Sequence, residues 1–433
     1  MVSTKKWALA SAVAAAIALP ATALATTAGY FQLGYSTISD GMAGASAALP
    51  QDSMIQATNP AGIAFVGNHL DLGVAGFWPY RNYTSGASAG YYPYPGSFGS
   101  NSRFYLIPHL GYSQRLSHDN YVGVAIYGNG GMSTNYNSGT SVGPYYAGQT
   151  GVNLQQLFVQ ATYSRKFLRH DAVGLSLIFA HQSFSADGLG KFGYDSTSPN
   201  NLSGNGVSTS NGVGFKIGGQ FRIVPGIDVG VAYSPRMTMS KFSKYSGLFA
   251  GGGRFDIPAN GVIGLAFKPM AGQVVAFDFQ RIYYNDVPAI GNAGPTNDDG
   301  CTPAGCSVNP ATDPDALGAP GGAGFGWQDI SVYKIGYQFA VTRAVTGRVG
   351  FAYNTQPIPA SQVMLNLLAP GVIQRNVTAG VTIRTARRQD VSIAAMYGLP
   401  QSVYGNAPAG FGGAPIKISL HEYQLEANWG WKF

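Results

Sequence analysis

The sequence predicts an all-β fold, an antiparallel transmembrane β-barrel of fourteen strands, and three observations lead there. Charged residues make up only 10% of the 433 positions, while glycine takes 60, tyrosine 26 and phenylalanine 23; soluble domains carry roughly 25% charge. The chain opens on an export signal. Beyond that signal no apolar run approaches the ~18 residues of a spanning helix, whereas period-2 alternation recurs to the last residue. Only helices and closed barrels satisfy every backbone group in lipid, so the barrel is what remains.

Residues 1–25 read as a signal peptide. Lys5 and Lys6 precede an apolar stretch that ends Ala23-Leu24-Ala25, a small-residue cleavage site. Pro20 interrupts the stretch, and no stop-transfer flank follows. Cleavage is expected after Ala25.

The strands are expected near 69–78, 103–115, 120–128, 153–167, 171–184, 211–223, 226–240, 258–268, 272–284, 328–341, 344–356, 375–385, 389–398 and 420–433. The run "VYKIGYQF" shows the pattern: Tyr333, Ile335, Tyr337 and Phe339 share one face, Lys334, Gly336 and Gln338 the other. One apolar face at period 2 is the mark of a lipid-facing strand. Long connections alternate with short ones, as outer-membrane barrels alternate long external loops with short periplasmic turns. The last strand puts Tyr423, Leu425, Ala427, Trp429, Trp431 and Phe433 on one face. That is an aromatic girdle, and it also resembles the terminal signal read by the barrel-assembly machinery.

The net charge of +7 is not clustered, and nucleic-acid binding gains no support. The two cysteines, Cys301 and Cys306 in "CTPAGC", are expected to form a local disulfide in an oxidising compartment. Two thiols without a nearby histidine make half a zinc site at most, so neither metal nor cofactor is expected. Two enzyme motifs occur and are rejected. Gly86-Ala87-Ser88-Ala89-Gly90 matches G-x-S-x-G without the helix that a nucleophile elbow needs. The run from Gly188 to Gly193 matches G-x-G-x-x-G but leaves a strand for a loop. Asp298, Asp299, Asp313 and Asp315 read as a solvated loop rather than a Ca²⁺ site.

Residues 26–68 alternate poorly and precede the first strand. Their "GMAGA" turn (Gly41, Ala43, Gly44, Ala45), a following aspartate and Asn59-Pro60-Ala61-Gly62 resemble the N-terminal hatch of the FadL/TodX family. The ordered runs "VAYSPRMT", "FDIPANGVIGLAFKP", "WQDISVYKIGYQF" and "GRVGFAYNTQPIPA" extend the resemblance over most of the chain. The family transports long-chain fatty acids and hydrophobic hydrocarbons through the outer membrane. The resemblance implies a hatch over 26–68 inside a barrel over 69–433. It also implies ligand capture at external loops and passive sideways release through a wall gap where a strand kinks near the hatch.

Asn59, Pro60 and Ala61 match the hatch motif residue for residue and are the gating candidates, a turn set against the wall gap, with a plain tight turn the alternative. Gly128, Gly130 and Gly131 end the third strand and permit a kink for the gap, or else they start a loop. Phe242, Leu248 and Phe249 are candidates for an exposed capture surface, with loop packing the alternative. Lys216, Lys334, Arg348 and Arg384 are assigned to the lumen, where a cation could hold a carboxylate. Ion pairing with Asp278, Glu422 and Glu426 is the plainer reading.

A monomeric, non-enzymatic transporter of hydrophobic compounds is therefore expected in the outer membrane of a Gram-negative bacterium. Its partners would be its ligand, membrane lipid and the assembly machinery. Long-chain fatty acids are the first substrate class expected and aromatic hydrocarbons the second. A general porin, an outer-membrane lipase and a structural barrel are the competing classes.

Overall fold

A computed structural model describes residues 27–87, 93–137, 143–296, 309 and 313–433. The expected signal peptide, Cys301, Cys306, Ser88, Asp298 and Asp299 lie outside them. In chain order the strands are β1 His69–Ser85, β2 Gly96–Gly99, β3 Tyr105–Arg115, β4 Asn120–Ser133, β5 Gly151–Lys166, β6 Ala172–Asp187, β7 Ser208–Val224 and β8 Ile227–Ser234. They continue as β9 Asn260–Phe267, β10 Gln273–Ile282, β11 Ile330–Ala340, β12 Val345–Asn354, β13 Arg375–Ala386, β14 Gln389–Asn406 and β15 Pro415–Lys432. β2 only extends the outer end of β1, pairing Ser85 with Gly96. The other fourteen form an antiparallel meander that closes when β15 pairs with β1, from His69↔Lys432 to Ser85↔Ile416.

Every predicted strand is present, and the differences lie at strand ends. β8 stops at Ser234 rather than 240, because Pro235 cannot donate to the ladder. β14 runs beyond 398 to Asn406. It passes Pro400 by a bulge, where Gly398 pairs with Glu422 but Gln401 with Leu420. The short turns, such as 225–226 and 387–388, all lie at the end of the barrel that holds the C-terminus. No helix among the described residues is long and apolar enough to cross a membrane.

The outer face is a belt of exposed apolar side chains taken from alternate positions: Leu175, Leu177 and Phe179 on β6, Val213, Phe215 and Ile217 on β7, Tyr333 and Ile335 on β11, Tyr423 and Leu425 on β15. A continuous apolar ring on a closed sheet is a lipid-facing surface, and the molecule is a membrane barrel of the outer-membrane type. At the turn end Phe433 stacks on Tyr112 with ring centroids 5.7 Å apart, and Trp429 stacks on Trp431.

The N-terminal segment from Thr27 to Ala64 lies almost wholly buried inside the barrel. It is built from very short elements. Helix α1, Thr37–Asp40, starts with a capping box in which the Ser36 and Ser39 hydroxyls serve each other's backbone amides. Helix α2, Ile55–Thr58, leads into a 3₁₀ turn at Pro60–Gly62 and then α3, Ile63–Val66. Between α1 and α2 the predicted Gly-Ala turn places Ala43 and Gly44 at positive φ (54° and 79°), with Gly44 against the Leu33 carbonyl.

Glycines in the wall make room for this segment. A Cβ at Gly230 would collide with the Ala47 carbonyl, one at Gly174 with the Pro60 backbone, and one at Gly350 with the Met42 backbone. On β13 a Cβ at Gly380 would lie only 3.0 Å from the Gly41 Cα. Part of the high glycine content is thus a fitted seat.

Candidate functional site: the bulged strand and the segment behind it

β4 joins its two neighbours unequally. It pairs with β3 only from Tyr121↔Arg115 to Ile126↔Leu110, yet with β5 all the way to Ser133↔Asn153. Asn129 is bulged out of that second ladder, since Gly128 pairs with Leu157 and Gly130 with Gln156. Beyond Ile126 the strand has left β3, whose Tyr105 to His109 remain paired with β1 alone. The in–out alternation stops as well: every residue from Ala125 to Thr134 is buried. The strand has bent inward and opened a seam in the ladder between β3 and β4. Gly128, Gly130 and Gly131 therefore lie within a kinked strand and do not begin a loop.

Tyr30, Phe31 and Gln32 close the seam from inside. The Gly131 amide donates to the Tyr30 carbonyl (3.2 Å) and the Gln32 amide to the Asn129 carbonyl (3.3 Å). Gln32 Nε2 donates to the Gly128 carbonyl (3.0 Å), and the Tyr35 hydroxyl to Asn129 Oδ1 (3.1 Å). Gly130 is required here, because a Cβ would strike the Tyr30 carbonyl. The Tyr30 ring packs in an aromatic group with Phe31, Phe255, Tyr284 and Trp327, at centroid distances of 5.1 to 6.2 Å.

Asn59, Pro60 and Ala61 sit elsewhere, which corrects the expectation that they turn beside the gap. Asn59 Nδ2 donates to the carbonyls of Ala47 (2.9 Å) and Gly219 (3.0 Å), and its Oδ1 accepts from the Ala61 amide (3.1 Å). Pro60 lies over Gly174 of β6, and the Ala61 carbonyl accepts from Ser164 of β5. The motif is a fully bonded anchor on β5, β6 and β7, away from the β3–β4 seam.

Three of the four cations assigned to the lumen are anchors too. Lys216 donates to the Ala57 carbonyl, Lys334 to Leu33 (2.6 Å) and Arg348 to Gln51 Oε1 (3.2 Å). All three are buried, and each binds the N-terminal segment instead of standing free for a ligand. The carboxylates work similarly: Asp278 Oδ2 accepts from the Ser46 and Ala47 amides at 2.9 Å, and Glu426 Oε1 from Thr37 at 2.8 Å. Arg384 shares the register of Thr378 and Thr382 but is exposed beside the β13–β14 turn, so its assignment to the lumen is corrected.

Phe242, Leu248 and Phe249 are buried, not exposed as a capture surface requires. Phe242 and Phe249 pack on Phe184 of β6, at 5.5 and 4.7 Å between centroids. Other outer loops close over the lumen in the same way. Tyr145 donates to the Met364 carbonyl (2.7 Å), and Trp327 Nε1 to Asn366 Oδ1 (2.6 Å). A cavity of about 10 Å³ lies beneath them, between Arg81, Met132, Trp327 and Gly371.

Solved structures share this architecture. The toluene transporter TodX of P. putida superposes with a TM-score of 0.66 at 18% identity, covering 93% of this chain and 99% of that one. A FadL homologue of Pseudomonas aeruginosa gives 0.65 at 12%, covering 93% and 100%. The toluene transporter TbuX of Ralstonia pickettii gives 0.65 at 17%, covering 93% and 99%. The fold is that of the FadL/TodX barrels. No protein-family profile and no curated protein sequence matches the chain.

The sequence set an N-terminal segment apart from the strands and marked Gly128, Gly130 and Gly131 as able to bend, but pointed to no partner for either. Tyr30 to Gln32 were missed as the residues behind the seam. The available signal was their aromatic–polar run ahead of the turn-rich stretch, which no local pattern ties to a strand some 100 residues on.

Proposed function

We propose that the protein carries hydrophobic compounds passively across the outer membrane, with its N-terminal segment acting as a hatch. Ligand is captured at the external loops, enters the lumen and leaves sideways into lipid between β3 and β4. One observation carries this reading: the ladder between those strands is broken beyond Ile126, and the break is backed by residues Tyr30 to Gln32 rather than by wall. An apolar solute gains by entering lipid from such a seam, whereas a water-filled pore would offer it nothing.

The geometry favours a neutral hydrocarbon over a fatty acid. The carboxylate reading depends on free luminal cations, and Lys216, Lys334 and Arg348 are all engaged by the hatch. The neighbours' descriptions as toluene transporters support the same preference. Long-chain fatty acid uptake is the second reading. It rests on the FadL homologue among the neighbours.

The test removes the bulge. Deleting Asn129 restores an unbroken β4 register. Uptake of radiolabelled toluene into cells that rely on this protein is then expected to fall to background, while the barrel keeps its heat-modifiable mobility. Parallel uptake of oleate separates the two substrate readings. Unchanged uptake of both compounds in the deletion variant would sink lateral release.

A further inference from the structure

The luminal columns of β5 and β6 are apolar over their outer halves, with one exception each. On β5 the inward residues run Val152, Leu154, Gln156, Phe158; on β6 they run Ile178, Ala180, Gln182, Phe184, Ala186. Gln156 and Gln182 are register partners, so they form a single polar rung across the apolar wall. The rung lies level with the bulge, because Gly130 pairs with Gln156.

Both side chains are fully buried, and their amides are largely unspent. Gln156 Oε1 accepts from Asn129 Nδ2 at 2.9 Å. The Tyr30 phenol interacts with the Gln156 side chain, whose Nε2 has no other partner, and neither amide atom of Gln182 has a partner. A nearby residue of the same type is the contrast. Gln160, two inward positions nearer the turn end of β5, donates to the Gln56 carbonyl (2.6 Å) and Ser176 (2.8 Å) and accepts from Tyr127 (2.7 Å). Asn376 on β13 is also unpaired at both amide atoms, but on β5 and β6 the unspent buried amides are confined to the rung. Buried polar groups are nearly always hydrogen-bonded, and an amide with no partner, such as Gln182, would lose no hydrogen bond if a hydrocarbon of the same shape replaced it. Two adjacent amides kept at this level point to a partner that arrives with the ligand.

We propose that Gln156 and Gln182 form a subsite that reads a neutral hydrogen-bonding group, a hydroxyl or carbonyl, on an otherwise apolar ligand. This deepens the transport reading above and rests on it. An amide both donates and accepts, so the rung suits either polar function. Leu154, Phe158, Ala180 and Phe184 above and below it suit the apolar body. A carboxylate is disfavoured, because no cation stands on the rung to offset its desolvation.

The experiment compares p-cresol, toluene and p-toluate by calorimetric titration of the full-length protein in detergent. In the wild type p-cresol is expected to bind on the order of tenfold more tightly than toluene, the scale of one hydrogen bond to a buried group. In Gln182→Leu and Gln156→Leu that ratio should fall towards one while toluene affinity is retained, and p-toluate should not compete. Comparing ratios between proteins cancels partition into micelles. A merely structural role would shift all three ligands together and alter the melting temperature. An unchanged cresol-to-toluene ratio in both variants overturns the subsite while leaving transport standing. No binding of any probe to the wild type overturns both.

Discussion

Asn59 Nδ2 donates to the carbonyl of Gly219, 3.0 Å away and 160 residues on in the chain, and this bond ties the N-terminal segment, the proposed hatch, to β7 at a glycine pair. Gly218 beside it leaves room for Asn59 itself. Because the same side chain also holds Ala47 and Ala61, Asn59→Ala should free the hatch without harming the sheet. Losing three buried hydrogen bonds and leaving their partners unpaired costs about 2–4 kcal/mol. Hydrogen exchange is expected to rise across residues 44–66 while strand amides keep their protection.

The glycine seats make a sharper prediction. Gly230→Ala places a methyl into the Ala47 carbonyl, so the hatch must shift there. Gly190→Ala meets nothing within 4 Å and serves as the control. Proteolysis of the hatch in detergent should accelerate roughly tenfold in the first variant, equivalent to about 1.4 kcal/mol, and stay unchanged in the second.

Acidity should tighten the hatch. Burial, reinforced by the neighbouring Asp71 carboxylate, pushes Asp52 up to about 6, and burial with the Glu426 carboxylate raises Asp40 well above the usual range. Around them stand His69 on β1, His109 on β3 and Arg348 on β12. Both carboxyls hold protons more strongly in the docked state than in the unfolded chain. The Asp52 contribution is complete below about pH 4 and is lost as pH rises through about 6, and Asp40 acts in the same direction. Hatch protection, corrected for intrinsic exchange, should fall between pH 5 and 7.5, and Asp52→Asn should flatten that dependence. An unchanged profile in Asp52→Asn would count against it.

Phe184 holds the outer loop. Its ring touches Phe242, Tyr245 and Phe249 within 5.5 Å between centroids. Phe184→Ala should destabilise loop 235–259 by about 3 kcal/mol, the lower range for a buried aromatic. Selective trypsin cleavage at Lys241 or Lys244 in an otherwise intact barrel would register it.

The barrel was legible in the sequence because its signals are local: alternation, turn length and the lack of a spanning helix each sit within a few residues. The seam was half legible. Gly128, Gly130 and Gly131 mark a place where the strand is able to bend, yet only pairing with both neighbours shows that β3 is the side it leaves. The charges were misread for a related reason. Alternation turned Lys216, Lys334 and Arg348 inward correctly, but whether an inward cation meets a ligand or a carbonyl of the hatch depends on contacts between residues up to 301 positions apart. Phe242, Leu248 and Phe249 read as a surface because an apolar loop in sequence carries no record of the lid it joins.

The wall glycines bear on how such a protein can change over time. A larger side chain at Gly174, Gly230 or Gly350 is excluded by the hatch backbone itself, not by a side chain that could be trimmed in exchange. Compensation would require rerouting the hatch main chain, which several strands hold at once. Hatch and inner wall should therefore be inherited as a matched pair. A chimera that joins this N-terminal segment to a related barrel is expected to assemble its sheet yet leave the interior ill-fitted and leaky.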